Sequence, residues 1–268
     1  MIDVQELKMG NRRALAKAIT LIESDRDDHR QYAKELLNSV MPFTGNSYRI
    51  GISGSPGVGK STFIETFGQK LIKSGSKLAV LAVDPSSPIS GGCILGDKTR
   101  MRELNRLDGA FIRPSPAVNS IGGVTESTHE SILLCEAAGY NWVFVETVGA
   151  GQSEYKVDTM TDVFLVLIEP GSGDVLQGIK KGIMELADIL IVNKADGENL
   201  KLAERTQIQY NNALNILNYP KSWKPKVLTC SSIENLGFEN VLNTLNEFRL
   251  IGQKSGSWGG KRKKQTVV

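Results

Sequence analysis

Short apolar runs alternate with helical stretches along most of this chain. The runs are 48-YRIGIS, 78-LAVLAVD, 110-AFIR, 142-WVFVET, 163-VFLVLIE, 189-ILIVNKAD and 226-KVLTCSS. They are short, rich in Val and Ile, and most lack polar alternation, which is the pattern of strands buried on both faces of a parallel sheet. With helices between them they form repeated βα units, so the expected fold is α/β: a doubly wound, mostly parallel sheet covered on both sides. Residues 1–45 read differently. Leu15, Ala18, Ile19 and Ile22 recur at helical spacing, followed by Tyr32, Leu36, Leu37 and Val40 on a second helix, predicting an N-terminal helical extension. Ser24 or Asp25 is the expected cap of that second helix. The turn-rich junction Met41-Pro42-Phe43-Thr44-Gly45-Asn46 opens a domain over residues 46–250. Past it, the Gly, Ser and Lys-rich stretch from Gly252 to Lys264 reads as a linker or frayed end.

The first apolar run leads into Gly54-Ser55-Pro56-Gly57-Val58-Gly59-Lys60-Ser61, a full match to the phosphate-loop pattern GxxxxGK[ST], and a helical pattern follows from Thr62. Such a loop turns successive backbone N–H groups around a phosphate, and the helix behind it adds its positive end. Lys60 is expected at the β and γ phosphates, and the Ser61 hydroxyl on Mg²⁺. Magnesium needs one or two nearby carboxylates, which directs attention to Asp84 and Glu146 at the ends of the second and fourth runs. In an open α/β fold those ends form the ligand-binding edge.

A second signal stands at the end of another run: Asn193-Lys194-Ala195-Asp196, of the form NKxD. A carboxylate at Asp196 accepts from both the ring N1–H and the exocyclic amino group of guanine. Adenine presents an acceptor where one of those donors must be, so GTP and GDP are favoured over adenine nucleotides by about 100-fold or more. One βα unit later, Ser231 and Ser232 are candidates for a loop contact to the base.

Composition narrows the remaining classes. Hydrophobic residues at 40% and charged residues at 23% are near globular averages, which excludes wholesale disorder. The net charge of +3 is more than accounted for by the run Lys261, Arg262, Lys263, Lys264, so the body is near neutral and carries no basic stripe for nucleic acid. That run is read as a solvated helix start. No apolar stretch is long enough to span a bilayer and no signal-peptide order opens the chain, so a cytoplasmic protein with no membrane partner is expected. Cys93, Cys135 and Cys230 are far apart and never form CxxC, arguing against disulfides and zinc. The two histidines, His29 and His129, provide no metal-storage tract.

The segments 53-SGSPGVGKST, 84-DPSSPISGGCILGDKTRM, 146-ETVGAGQSE, 169-EPGSGDVLQGIKKG and 193-NKAD resemble the MeaB/ArgK family of GTPases, the methylmalonyl-CoA mutase-associated G proteins, over roughly residues 10 to 250. This resemblance implies a P-loop NTPase fold of the SIMIBI type, related to the metal-insertion GTPases. It implies Mg²⁺-dependent GTP hydrolysis by a chaperone that gates cofactor loading and protects an adenosylcobalamin-dependent acyl-CoA mutase. Carried onto this chain, Ser61, Asp84, Asp97 and Glu146 surround the metal and its waters. The nucleotide is held by Gly54 to Thr62 with Asn193, Lys194, Asp196, Ser231 and Ser232, and the catalytic set is Lys60, Asp97, Glu146 and Lys180. Asp84 to Arg102 acts as a first switch, Glu146 to Glu154 as a second, and residues 170 to 181 as a third mobile segment in which Lys180 approaches the nucleotide. The glycines Gly91, Gly92, Gly149, Gly151, Gly171 and Gly173 suit loops whose order depends on a γ-phosphate. Ala150 follows Gly149 where Ras-like proteins carry a water-orienting Gln, so slow intrinsic hydrolysis accelerated by a partner is expected. Family members continue into a helical C-terminal extension that pairs two protomers, so residues 251–268 are a linker or the start of a truncated form of it, and a homodimer is expected where the extension is present. Two rival readings share the phosphate loop: a nucleotide-dependent kinase or ATPase of a periplasmic lysine/arginine/ornithine transport system, and a metal-insertion GTPase. A transport ATPase has no reason to read guanine, which NKAD does.

Overall fold

The computed structural model describes residues 2–24, 26–84, 101–116, 123–147, 153–172, 181–216 and 223–266. All seven expected strands form: β1 (Tyr48–Gly54), β2 (Leu78–Asp84), β3 (Ala110–Pro116), β4 (Trp142–Glu146), β5 (Val163–Ile168), β6 (Ile189–Val192) and β7 (Lys226–Thr229). The chain divides into two compact units, Met1–Arg49 with Gly68–Glu146, and Ile50–Phe67 with Thr147–Val268.

In the first unit the strands run β3-β2-β4, parallel throughout, with Ala82 of β2 opposite Glu146 of β4. Their side chains are buried from Leu78 to Ala82 and from Val143 to Val145, which explains the absence of alternation in the sequence. The N-terminal extension folds as α1 (Val4–Lys8), α2 (Arg12–Ile22) and α3 (Asp27–Val40). Leu15, Ala18 and Ile19 form the buried stripe of α2, and Leu36 and Val40 that of α3, while Tyr32 is 57% exposed. Ser24 is not the cap of α3, and Asp25 lies outside the described residues: Arg26 occupies the cap position, without a side-chain cap bond, and Ser24 instead accepts from the Arg26 amide at 3.4 Å. Helix α4 (Lys60–Lys73) belongs to this unit only from Gly68 on, and α5 (Arg102–Arg106) precedes α6 (Gly123–Ala137), against which α2 and α3 pack.

A buried ion pair fixes the entry to β1. Arg49 donates to both oxygens of Glu136 on α6 at 2.8 Å each, and the same carboxylate accepts from Ser47 Oγ at 2.5 Å and the Gly45 amide at 2.7 Å. Burial pushes the Glu136 carboxyl up, but the Arg49 bonds and charge, with Ser47 and Gly45, outweigh it and hold the group at about 2.

In the second unit the order is β1-β5-β6-β7, again parallel. The register pairs Gly54 with Leu167, Ile168 with Val192, and Val192 with Thr229, so the carboxyl ends of four strands share one edge. Around them lie α7 (Ser153–Met160), α8 (Lys181–Leu186), α9 (Leu200–Ile216), α10 (Phe238–Lys254) and α11 (Ser257–Thr266). The stretch Gly252 to Lys264, read as a linker or frayed end, is therefore helical on both sides of a turn at Ser255 and Gly256. Arg262 donates to both oxygens of buried Asp162 at 2.5 and 2.6 Å, Lys261 pairs with Asp158 at 2.9 Å, and Gln265 donates to the Thr161 carbonyl at 2.9 Å. The basic run is thus only half solvated: Lys263 and Lys264 are exposed, whereas Arg262 points inward. Among the described residues, no helix is long and apolar enough to cross a membrane.

Candidate nucleotide-binding site

Two segments that the sequence singled out, the phosphate loop and NKAD, leave that shared strand edge. The loop after β1 carries positive φ at Gly54, Gly57 and Gly59. Gly59 is required twice over: its φ is +95°, and a Cβ there would lie 2.6 Å from Asn193 Nδ2. Helix α4 begins as the Phe63 amide donates to the Gly59 carbonyl at 2.9 Å. Its first turns are anchored by Phe63 and Phe67, whose rings meet Phe238 of α10 at centroid distances of 5.3 and 5.7 Å. Each such ring contributes roughly 1.5–3 kcal/mol by burial, enough to hold the loop's helical base still.

The Lys60 ammonium folds back across the loop, donating to the Gly54 carbonyl at 2.7 Å and the Ser55 carbonyl at 3.2 Å. This keeps a buried cation solvated by backbone dipoles at the position a phosphate chain occupies in such loops. Ser61 and Thr62 follow in the first turn of α4, half-exposed and exposed, while Val58 is fully buried beneath the loop. Behind the loop, Thr147 Oγ1 donates to Ser53 Oγ at 2.9 Å, and the Thr147 amide to the Ile52 carbonyl at 2.9 Å.

The NKAD segment leaves β6 on the same edge. Asn193 is buried, donates from Nδ2 to the Val58 carbonyl at 2.9 Å, and accepts at Oδ1 from Ser232 Oγ at 2.8 Å and Cys230 Sγ at 3.4 Å. Ala195 N donates to the Cys230 carbonyl at 2.9 Å, binding this turn to the loop after β7. Asp196 is half-exposed and precedes a short 3₁₀ turn, Gly197–Asn199, but its carboxylate does not cap that turn. It accepts instead from Ser231 Oγ, which also accepts from the Glu234 amide at 3.0 Å. Ser231 and Ser232, the candidates for a loop contact to the base, thus hydrogen-bond to Asp196 and Asn193 of the NKAD segment. An exposed carboxylate edge held by a hydroxyl suits the paired donors of a guanine ring.

In the first unit, Asp84 and Glu146 end neighbouring strands, and Glu146 is buried. Asp97 and Lys180 lie outside the described residues, as do residues 85–100, 148–152 and 173–180 of the three expected switch segments. Sequence reasoning missed Cys230, whose thiol burial pushes up to about 12 and which serves as a donor to Asn193 rather than as a reactive group. It also missed Thr66, whose hydroxyl donates to the Ser232 carbonyl at 2.8 Å and so ties α4 to the base loop. Neither sits in a motif, and their partners lie far away along the chain.

Comparison with known proteins agrees with this geometry. The family described as "Methylmalonyl Co-A mutase-associated GTPase MeaB" matches residues 15–268. The GTPase ArgK of Escherichia coli is 48% identical over 98% of this chain and 80% of its own length. The mouse protein named methylmalonic aciduria type A homolog, mitochondrial, is 46% identical over 98% of the chain and 66% of its own length. The crystal structure of a LAO/AO transport system kinase superposes with a TM-score of 0.84 at 41% identity, covering 98% of this chain and 79% of that one. The nickel-bound HypB of Helicobacter pylori shares the fold at a TM-score of 0.56 and 17% identity, over 80% of this chain and 91% of that one. With its phosphate loop, its NKAD segment and these relatives, the chain belongs to the MeaB family of P-loop GTPases, which bind guanine nucleotides and hydrolyse GTP.

Proposed function

We propose that this protein is a GTP-gated chaperone of an adenosylcobalamin-dependent acyl-CoA mutase, controlling cofactor loading and protecting its partner. The observation that carries the nucleotide half of this reading is the Asn193 to Val58 hydrogen bond, which makes base recognition and the phosphate loop one rigid piece. The partner half rests on the family description, which names a mutase-associated GTPase, and on the name of the mouse relative.

Within this reading Lys60 neutralises the β and γ phosphates, and Asp196 selects guanine. Magnesium suits the hard oxygen donors assigned to it: the Ser61 hydroxyl, with Asp84, Asp97 and Glu146 as the carboxylates assigned from the sequence. When bound, the ion neutralises charge on the transferring phosphoryl group. Ser53 and Thr147 stiffen the end of β1, so the loop amides stay oriented as the nucleotide enters.

A second reading has one specific support, the name of the 41% identical crystal structure, a transport system kinase. A pull-down from native lysate with a non-hydrolysable GTP analogue separates the two. Recovery of a cobalamin-dependent mutase supports the chaperone role, and recovery of a periplasmic binding protein supports the transport role. A metal-insertion role has only fold likeness behind it, and among the described residues no group of three His, Cys, Asp or Glu side chains is arranged to hold a metal ion.

A further inference from the structure

The lysine of NKAD has a fixed partner that no motif announces. Lys194 Nζ pairs with Glu169 Oε1 at 2.5 Å, both side chains being partly exposed. Glu169 is the residue after β5, Lys194 lies two residues after β6, and Ile168 and Val192 are register partners, so the pair bridges adjacent strand ends.

Hydrogen bonds hold the backbone at both ends of this bridge. On the Glu169 side, Ser172 returns two bonds to the Glu169 carbonyl, from its amide at 3.3 Å and its hydroxyl at 2.7 Å. The Gly171 amide donates to Thr206 Oγ1 at 3.0 Å, and Thr206 is buried on α9. Gly171 takes a φ of +76°, a conformation that favours glycine, and a Cβ there would lie 2.8 Å from the Leu202 side chain on α9. On the Lys194 side, Asn193 is tied to Val58 and Ser232, Ala195 to Cys230, and Lys194 itself is held at a φ of +56°. A non-glycine residue in that region persists only where its surroundings impose it. What remains free at this corner is the long stem of Lys194, and ordering such a stem costs more entropy than ordering almost any other side chain.

We propose that Glu169 is a positioning residue of the guanine-nucleotide site, acting through Lys194. By holding the ammonium before the nucleotide arrives, it lays the methylene stem along the loop beside the base, so less ordering remains to be done on binding. This rests on the reading of the NKAD corner as the purine site. It predicts an effect on affinity shared equally by GDP and GTP, because the phosphates are not involved, and no effect on purine selectivity, which belongs to Asp196.

The test is a double-mutant cycle on the full chain, with dissociation constants and off-rates for fluorescent GDP and a GTP analogue measured on wild type, Glu169→Gln, Lys194→Met and the double variant. The expected result is a loss of affinity of about three- to tenfold for both nucleotides in Glu169→Gln, carried by the off-rate, with an unchanged melting temperature and an unchanged preference for guanosine over inosine nucleotides. In the Lys194→Met background the Glu169 change is expected to be silent. Wild-type affinity in Glu169→Gln, an equal loss in the Lys194→Met background, or a lowered melting temperature overturns the proposal. Asp196→Asn serves as the control: if it leaves guanine preference intact, the purine-site reading itself falls, whereas lost preference beside an inert Glu169→Gln sinks only the positioning role.

Discussion

Asn193 Nδ2 donates to the backbone carbonyl of Val58 at 2.9 Å, across 135 residues of sequence. The same amide accepts from Ser232 and Cys230, so it makes three hydrogen bonds inside a buried corner. Replacing it with alanine leaves a buried carbonyl and a buried hydroxyl without their partner. Asn193→Ala is expected to lower unfolding stability by about 1–3 kcal/mol, and to weaken GDP and GTP together because phosphate loop and base corner are no longer joined. Urea unfolding and nucleotide titration on the same preparation check both effects.

Gly59 lies on the other side of that junction. In Gly59→Ala the new methyl would meet Asn193 Nδ2 at 2.6 Å while the backbone sits at a φ of +95°. The cheapest relief is rotation of the loop, which moves its amides off the phosphates. Nucleotide affinity is expected to fall by at least about tenfold, while stability drops by only about 1–2 kcal/mol. Calorimetric titration beside thermal melts distinguishes this from general unfolding.

Asp196 accepts from Ser231 and remains half-exposed. In Asp196→Asn the side chain offers an amide donor where guanine also has a donor, and xanthine has a carbonyl oxygen. Guanine affinity is expected to fall by about 100-fold while xanthosine nucleotides gain. Competition between GDP and XDP measured on wild type and variant decides it.

The Arg49–Glu136 pair sets an acid limit. Glu136 is depressed from an ordinary 4.5 to about 2 in the folded protein, so its contribution is fully present above the ordinary value and disappears as pH falls from there towards 2. Arg49→Met strands a buried carboxylate and is expected to cost about 3–5 kcal/mol near neutrality. Its deficit relative to wild type should shrink as the pH is lowered through that window. Denaturation curves of both proteins between pH 7 and about pH 3 test the sign.

Helix α11 depends on tertiary pairing. Arg262→Ala removes both bonds from Arg262 to buried Asp162, and is expected to cost about 3 kcal/mol and to speed hydrogen exchange across Ser257–Thr266. Unchanged protection of those amides would show that Lys261 and Gln265 suffice.

The sequence by itself determined the seven strands, because runs such as 163-VFLVLIE can satisfy neither water nor a helix stripe and must be buried in a sheet. It also determined the phosphate loop, since eight contiguous residues carry all of that motif locally, and the NKAD corner, since the carboxylate assigned to the base lies within four. What no local pattern encodes is who holds these parts. Asn193 with Val58, Glu169 with Lys194, and Arg49 with Glu136 are separated by 135, 25 and 87 positions, and only the packing of strands, loops and helices brings each pair within bonding distance. The segment Ser257-Trp258-Gly259-Gly260 argues against a helix on propensity, and composition alone therefore made it a linker. Only the tertiary structure decided otherwise, because buried Asp162 and the Thr161 carbonyl give Arg262 and Gln265 more than two glycines take away.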